Sequence, residues 1–438
     1  MIAGGHPDAM TTHSSSRVDG RGGAQTTLST ADLRVLVDGA LGAVPRGARV
    51  LAVISDRTRD DNTPELFPLV SQTLARRRAA RLDALVAQGT HAAMGQADKH
   101  DKIGGGTADI PLLGDIFDHH WDRPSELAEI GTLSGEEVAS LSGGLMRDAV
   151  PVRLNAHVNP RQYDLVLVLG ATVPHEVAGF AGGAKYFFPG VAGPELTHVT
   201  HWLGALATIE QVIGRVETPT RRLIEAAAAH ITVPVIALTS VTTRQDDRLV
   251  TRALFTGDLR GSLRRAAEVS RDVHVRYTGR RYRRVVALLD THYDELWVGG
   301  KASYKLGAVI EPGGELIVHA PHLSAISATH GTLIERYGYA PLERVREMVE
   351  GSDELRANLC VAAHLAHVAY GSHRADDGRI APRFRITLAS RLPEDTCRRV
   401  NLGYLDPHGV DLAALEADPD TLVVDHAGRD LYLVAPDN

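Results

Sequence analysis

The sequence predicts an α/β protein of two domains, the first built on a doubly wound, mostly parallel sheet. Three observations carry this. Apolar runs of strand length alternate with helical segments from residue 29 to residue 278. One of them, Tyr163-Asp-Leu-Val-Leu-Val-Leu-Gly-Ala171, is so uniformly apolar that it reads as a strand buried on both faces. Polar residues able to do chemistry then gather just after several of these runs, where open parallel sheets bind their ligands.

Taken in order, residues 1–28 are rich in Gly, Ser, Thr and His without apolar periodicity and read as a loose lead-in. Ser29 and Thr30 cap a helix over Ala31–Ala43. Arg49–Ile54 is a strand that ends in the polar loop Ser55-Asp-Arg-Thr-Arg-Asp-Asp-Asn-Thr63. Pro64 takes the first turn of the next helix. Leu82–Ala87 is a second strand, ending at Gly89-Thr-His91, and Tyr163–Ala171 a third. Val233–Leu238 is a fourth, with Pro234 marking a strand start or an edge. A second unit, residues 279–410, begins after the Arg-rich stretch Tyr277–Arg284. Its strands are Arg284–Leu289, Glu295–Val298, Glu315–Ala320 and Arg383–Leu388, with Pro312-Gly-Gly314 as a turn between elements. In residues 411–438, the runs at 422 and 430 flank His426-Ala-Gly428 and read as a hairpin.

Length and composition bound the rest. A chain of 438 residues exceeds one ordinary domain. With 44% hydrophobic and 23% charged residues, it has ample material for cores and the balance of a folded globular protein. No apolar run approaches the roughly 20 residues of a membrane-spanning helix. Met1-Ile-Ala-Gly-Gly-His-Pro-Asp8 lacks the basic-then-apolar pattern of a secretory signal, so the expected location is cytoplasmic. Cys360 and Cys397 are the only cysteines, which argues against a disulfide framework. A net charge of −7 disfavours bulk nucleic-acid binding, and Arg76, Arg77, Arg78 and Arg81 read as a solvated face.

The strand ends carry the functional signal. The first delivers Asp56, Thr58 and Arg59, the second Thr90 and His91, the third His175 and then Lys185. In a parallel sheet these ends share one rim. Singly, each has an ordinary explanation: an Asp-x-x-Arg ion pair, a lone histidine, a Gly182-Gly183 turn. Together they favour a site. After Gly193-Pro194, a natural helix start, His198 and His201 fall three apart on one helical face. That spacing suits either a zinc-like pair completed by a remote ligand or a metal held by a single imidazole.

The chain resembles the nickel-dependent lactate racemase family. The resemblance runs from about residue 30 to about residue 410 and rests on Asp56-Arg-Thr-Arg59, Gly89-Thr-His91, Asp118-His-His-Trp-Asp-Arg-Pro124, His175, Ala178-Gly-Phe-Ala-Gly-Gly-Ala-Lys185, Pro189-Gly-Val-Ala192 and His201. It continues less specifically through Lys301-Ala-Ser-Tyr-Lys305 and Glu311-Pro-Gly-Gly314. It implies two α/β domains with the site in the cleft between them. It also implies a nickel-pincer nucleotide, a pyridinium-3-thioamide-5-thiocarboxylate mononucleotide, joined to Lys185 and supplied by cofactor-biosynthesis proteins. His201 matches the family's nickel ligand, His91 and His175 its acid/base pair, and Arg59 its carboxylate clamp. Asp56 matches a position near cofactor or substrate.

The chemistry agrees with what the resemblance implies. Inverting a 2-hydroxy acid means breaking a non-acidic C–H bond, and hydride removal gives a planar keto acid. Histidine suits the hydroxyl proton near neutral pH, a guanidinium fork suits the carboxylate, and a neutral imidazole suits nickel. Thr58 and the Gly182-Gly183 backbone are expected to contact the cofactor, the latter at its phosphate. Lys305 is expected to meet the phosphate or stabilise the intermediate, with Lys301 as rival. The stretch His319–His330, rich in hydroxyls and imidazoles, reads either as a lining that would suit a polyhydroxy acid better than lactate or as a polar surface loop. Two other readings stay open: a zinc hydrolase built on His198 and His201, and a nucleotide-binding homologue without catalysis.

Overall fold

The computed structural model describes residues 18–105, 109–246, 248–374, 378 and 380–436. Its larger sheet has seven strands: Asp19–Gly22 (β1), Arg49–Ser55 (β2), Arg81–Ala87 (β3), Leu113–Phe117 (β4), Leu165–Ala171 (β5), Val235–Gln245 (β6) and Arg248–Gly257 (β7). The order is β1-β7-β6-β5-β2-β3-β4. The pairings from β6 to β4 are parallel, and β1 and β7 add an antiparallel edge. β2 and β5 are almost wholly buried, as their unbroken apolar runs require. From β2 the chain winds outward through β3 to β4, then returns to the other side of β2 at β5. The sheet therefore reverses direction between β2 and β5.

Helices Thr30–Ala40 (α1), Thr63–Arg76 (α2), Pro194–Leu206 (α3), Pro219–Ala228 (α4) and Leu259–His274 (α5) cover this sheet. Ser29 and Asp32 cap α1 reciprocally, and Asp258 caps α5 by accepting from the amides of Arg260 and Gly261. The Arg76–Arg78 cluster is the exposed end of α2, with Arg76 paired to Asp38.

The second sheet is all parallel. Its strands are Tyr282–Leu288 (β8), Ile310–Ala320 (β9), Arg385–Ser390 (β10), Gly403–Leu405 (β11) and Thr421–Val424 (β12), in the order β11-β10-β9-β8-β12. It too reverses direction, between β8 and β12. Helices Lys301–Leu306 (α6) and Leu359–Ala369 (α7) belong to this half. The core around α7 takes in Trp202, Ala205, Ile209 and Ile213 from the first half, so apolar packing is continuous between the two sheets.

Five expectations need correction. The lead-in at residues 1–28 is ordered where it is described: Asp19–Gly22 pairs with β7, and residues 1–17 lie outside the described residues. Val233–Leu238 is not an edge, since β6 runs between β5 and β7, with Pro234 just before it. Glu295–Val298 is not a strand. Leu296 and Trp297 bond to the carbonyls of Ala325 and Ile326, but Gly299-Gly300 lets the chain coil into α6, and burial overrides β propensity. The hairpin at 422–434 does not form. β12 pairs in parallel with β8, while Leu431–Leu433 pairs in parallel with Val275–Tyr277. His426–Arg429 is thus a connection between two sheets. Likewise Pro312-Gly-Gly314 is a bulge within β9, where Gly313 takes φ +77°, and not a turn between elements.

Leu431 is fully buried in the shared core. Leu431→Ala should lower the unfolding free energy by about 2–5 kcal/mol, measured by urea denaturation. A loss near zero would mean that the C-terminal strand is peripheral.

Candidate active site

The two reversal points face each other. Residues that follow β2 and β5 line a cavity of about 330 Å³ from one side (Thr58, Arg59, Pro174, His175), and residues that follow β8 and β12 line it from the other (His292, Tyr293, His426, Arg429). Reversal points leave a crevice outside the carboxyl ends of the strands, which is where open α/β sheets bind ligands. A second cavity, of about 100 Å³, adjoins it. Arg59, His175, Glu176, Lys185 and Lys301 line both.

The loop after β2 is tightly held. Asp56 accepts from the Thr58 amide and hydroxyl at 2.8 and 2.6 Å. Buried Lys102 donates to the Arg59 carbonyl at 2.9 Å and to Asp61 at 3.0 Å. Arg59 is thereby fixed from behind by its own backbone. After β3, Gly89 takes φ +57° and donates to the Gly190 carbonyl, which turns the chain so that His91 meets Asp56. His91 Nδ1 lies 2.7 Å from Asp56 Oδ2. Burial alone would raise the Asp56 carboxyl; His91, Arg59 and Thr58 outweigh it and hold it well below the usual carboxylate range. An ionised Asp56 accepts from Nδ1, so neutral His91 presents a free lone pair on Nε2.

His175 is oriented oppositely. Its Nδ1 accepts from the Val177 amide at 3.1 Å, which puts the proton of the neutral ring on Nε2. Burial, then the charges of Lys185, Arg59, Lys301 and Lys305, hold it well below its ordinary 6.5. His201, on α3, donates Nδ1–H to the Thr197 carbonyl at 2.7 Å and keeps a free Nε2 in the smaller cavity. Burial pushes it down to about 3. Both rings are therefore neutral at pH 7. His198 lines neither cavity; its Nδ1 accepts from the Cys360 amide and its ring meets Trp121 edge-on.

Lys185 lies where the cavities meet. Burial is the main cause that lowers it to about 7, with Arg59 and Arg221 assisting and Glu176 and Asp56 opposing. Burial and Arg59 lower Lys301 to about 7 in the same way. Lys305 comes down to about 8, again chiefly through burial, but its Nζ donates to the Pro174 carbonyl at 2.6 Å and it lines only the larger cavity. Of the two rival lysines, Lys301 is the one that reaches both cavities.

The glycines before Lys185 answer a steric need. Gly182 and Gly183 take φ +99° and +60°, and a Cβ on Gly183 would meet the Leu259 carbonyl at 2.9 Å. Of the pair, Gly182 alone lines a cavity, the larger one. None of His319–His330 lines either cavity: His319 and His322 are turned to the carbonyls of Pro407 and Tyr293, and His330 packs on Trp297.

Residues 39–214 match the lactate racemase N-terminal domain family. The whole lactate racemase-like fold extends further. A crystal structure of a Thermotoga maritima protein is 29% identical, covering 94% of this chain and 99% of that one, with a TM-score of 0.86. The lactate racemase apoprotein from Thermoanaerobacterium thermosaccharolyticum is 16% identical, covering 91% and 92%, with a TM-score of 0.67, and shares the fold. No curated protein matches the chain by sequence.

In this cleft, sequence reasoning brought together Asp56, Arg59, His91, His175, Lys185 and His201. It missed Glu176, which lines both cavities, and Gln88 and His367, which line the smaller one. It also missed Arg221, fully buried on α4, whose guanidinium donates to the carbonyls of Ala178, Phe180 and Gly182 and so clamps the turn that carries Lys185. A charged residue at a core position of an amphipathic helix was the available signal for Arg221. His367 had none beyond its position on a wholly apolar helix. Asp118-His-His-Trp121 proves structural: His119 bonds to the Ala192 carbonyl and Asp118 pairs with Lys99.

The Asp56–His91 pair gives a pH test. A carboxyl depressed on folding contributes stability above its unfolded value of about 3.9, and that stability is lost as pH falls through and below it. Unfolding free energy of the wild type should therefore drop more steeply below about pH 4 than that of Asp56→Asn. Urea titrations from pH 7 to pH 3.5 would measure both, and parallel profiles would refute the assignment.

Proposed function

We propose that this protein is an isomerase that inverts the C2 centre of a 2-hydroxy acid by reversible hydride transfer, using a nickel-pincer nucleotide carried on Lys185. The observation that carries this reading is Lys185 itself: a lysine brought down to about 7 at the junction of two cavities, with the free Nε2 of His201 in one of them. A lysine amine near neutrality can be joined covalently, and one neutral imidazole, oriented from behind by a carbonyl, suits nickel. Among the described residues no group of three or more His, Cys, Asp or Glu side chains could hold a metal ion by itself, which is consistent with a metal brought in by its cofactor. The larger cavity has the volume for a mononucleotide, with Lys301 and Lys305 on its wall. Other proteins would have to make and deliver that group.

When bound, the nucleotide supplies a hydride acceptor. The chain's own residues do the rest. Arg59 holds the substrate carboxylate in a bidentate fork and fixes rotation about the bond to C2. His91, backed by Asp56, takes the hydroxyl proton from one face. His175 serves the other face, and in the unliganded protein it offers Nε2–H as a donor. The zinc-hydrolase reading has less support, because His198 is turned to the backbone of α7. The non-catalytic reading has less support too, because strongly shifted lysines and histidines cluster in one cleft. Among the described residues no helix is long and apolar enough to cross a membrane; we infer a cytoplasmic location, where the cofactor-making proteins would act.

Protein co-produced with cofactor-making enzymes should carry a mass adduct that Lys185→Ala lacks. With one enantiomer of a 2-hydroxy acid in D₂O, inversion should proceed with C2 hydrogen retained. His91→Ala and His175→Ala should each lose about 10²–10⁴-fold in turnover. Deuterium at C2 of the product would replace hydride transfer with proton abstraction, and no inversion of any 2-hydroxy acid would overturn the reading.

A further inference from the structure

Glu176 is a carboxylate that the chemistry above leaves without a task. Its side chain is 12% exposed, and it lines both cavities. Burial alone would raise its carboxyl; Lys301, its own backbone amide, His367 and Lys185 outweigh burial and hold it below the usual carboxylate range. Among the described residues, the one basic side chain within 4 Å of it is its chain neighbour: Glu176 Oε2 lies 3.6 Å from His175 Nδ1. That is just too long for a hydrogen bond.

The present partner of the ring explains the gap. Nδ1 of His175 accepts from the Val177 amide at 3.1 Å, so the neutral ring carries its proton on Nε2. In that form Nε2 cannot take a hydroxyl proton. Both working forms of an acid/base imidazole that reacts through Nε2 carry a proton on Nδ1. The imidazolium gives its Nε2 proton to a carbonyl oxygen, and the neutral ring that remains takes a hydroxyl proton back at Nε2. The Val177 N–H opposes a proton on Nδ1, whereas Glu176 Oε2 can accept one. Burial and the charges of Lys185, Arg59, Lys301 and Lys305 also oppose a second proton on this ring, and a carboxylate beside Nδ1 offsets them. We propose that Nδ1 of His175 has two seats, and that Glu176 is the positioning residue that draws it from the Val177 amide and holds its proton during the reaction, as Asp56 does for His91 at 2.7 Å. The proton that Nδ1 gains comes from water and the one that Nε2 gives up goes to the carbonyl oxygen, so the ring ends neutral with Nε2 free. A turn of the ring or of the carboxylate by about 1 Å or less brings the pair to hydrogen-bond length. The inference rests on the acid/base reading of His175 above and deepens it.

Removing the carboxylate behind an acid/base histidine costs up to about 10⁴-fold, because the ring settles in the wrong tautomer. The test uses cofactor-loaded protein and each C2 form of lactate, glycerate, malate and gluconate, with cofactor absorbance followed after rapid mixing. Glu176→Gln should slow the half-reaction of one C2 form by about 10²-fold or more and leave the other within about threefold. The slowed form should be the one that His175→Ala impairs most, and Asp56→Asn should slow the opposite one. The mass adduct on Lys185 should be kept, which checks that the variant folds and loads. Nitrogen-15 spectra of histidine-labelled, loaded protein saturated with substrate give a readout independent of rate. His175 should gain a proton on Nδ1 in the wild type and keep its proton on Nε2 alone in Glu176→Gln. If Glu176→Gln slows both C2 forms equally, the residue serves the charge balance of the cleft, and the inference is wrong while the proposed reaction stands. A wild-type His175 whose Nδ1 stays unprotonated with substrate bound would overturn it as well. If no acid in either C2 form reduces the cofactor of the wild type, the reading of the reaction falls and this inference with it.

Discussion

Arg59, Lys185, Lys301 and Lys305 are among the cations that line one cleft, and most of the site depends on that crowding. Arg59, Lys185, Lys301 and Lys305 face cavities opposed chiefly by Glu176 and Asp56. Removing cations from water is costly, and the cheapest relief is for amines to give up their protons. Lys185 and Lys301 come down to about 7 for this reason, while Arg59, whose guanidinium stays protonated in proteins, remains as the fixed charge. One cleft thus holds both amines near neutrality and a permanent cation, the two features on which the proposed function draws. The same field keeps His175 neutral.

Such a cleft needs buttressing from outside, and the fold provides it through backbone carbonyls more than through opposing charges. Arg221 clamps three carbonyls of the turn before Lys185, Lys102 holds the carbonyl of Arg59, and Lys305 holds that of Pro174. Carbonyl acceptors stabilise these cations without adding carboxylates that would cancel the field in the cavities. Lys102 is the exception, being shared with Asp61, and Asp61 is in turn tied to Ser55 and the Thr63 amide.

How much of this the sequence made legible follows from the range of each interaction. β2, β3 and β5 and the residues at their ends were readable because an unbroken apolar run and the polar loop after it are local in the chain. Lys185 and His201 were readable because a glycine turn and a Gly-Pro helix start are local as well. The second half was less so. Leu431–Leu433 looks like a hairpin partner until Val275–Tyr277, far earlier in the chain, takes its edge. Leu296–Gly299 carries strand-like residues that tertiary burial coils into a helix.

The two histidines matched to the acid/base pair are chemically different in the unliganded protein, and the backbone makes them so. Asp56 draws the Nδ1 proton of His91, while the Val177 amide forbids one on Nδ1 of His175. The two partners come from the loops that follow β2 and β5, so the difference is set by the fold. A neutral His91 presents a lone pair at Nε2, and a neutral His175 presents a hydrogen-bond donor there and would have to gain a proton before it could act as an acid. Freeing Nδ1 of His175 requires either its ring or the loop at Val177 to turn. The direction in which the site is primed is therefore a property of the fold, set by one carboxylate and one peptide N–H.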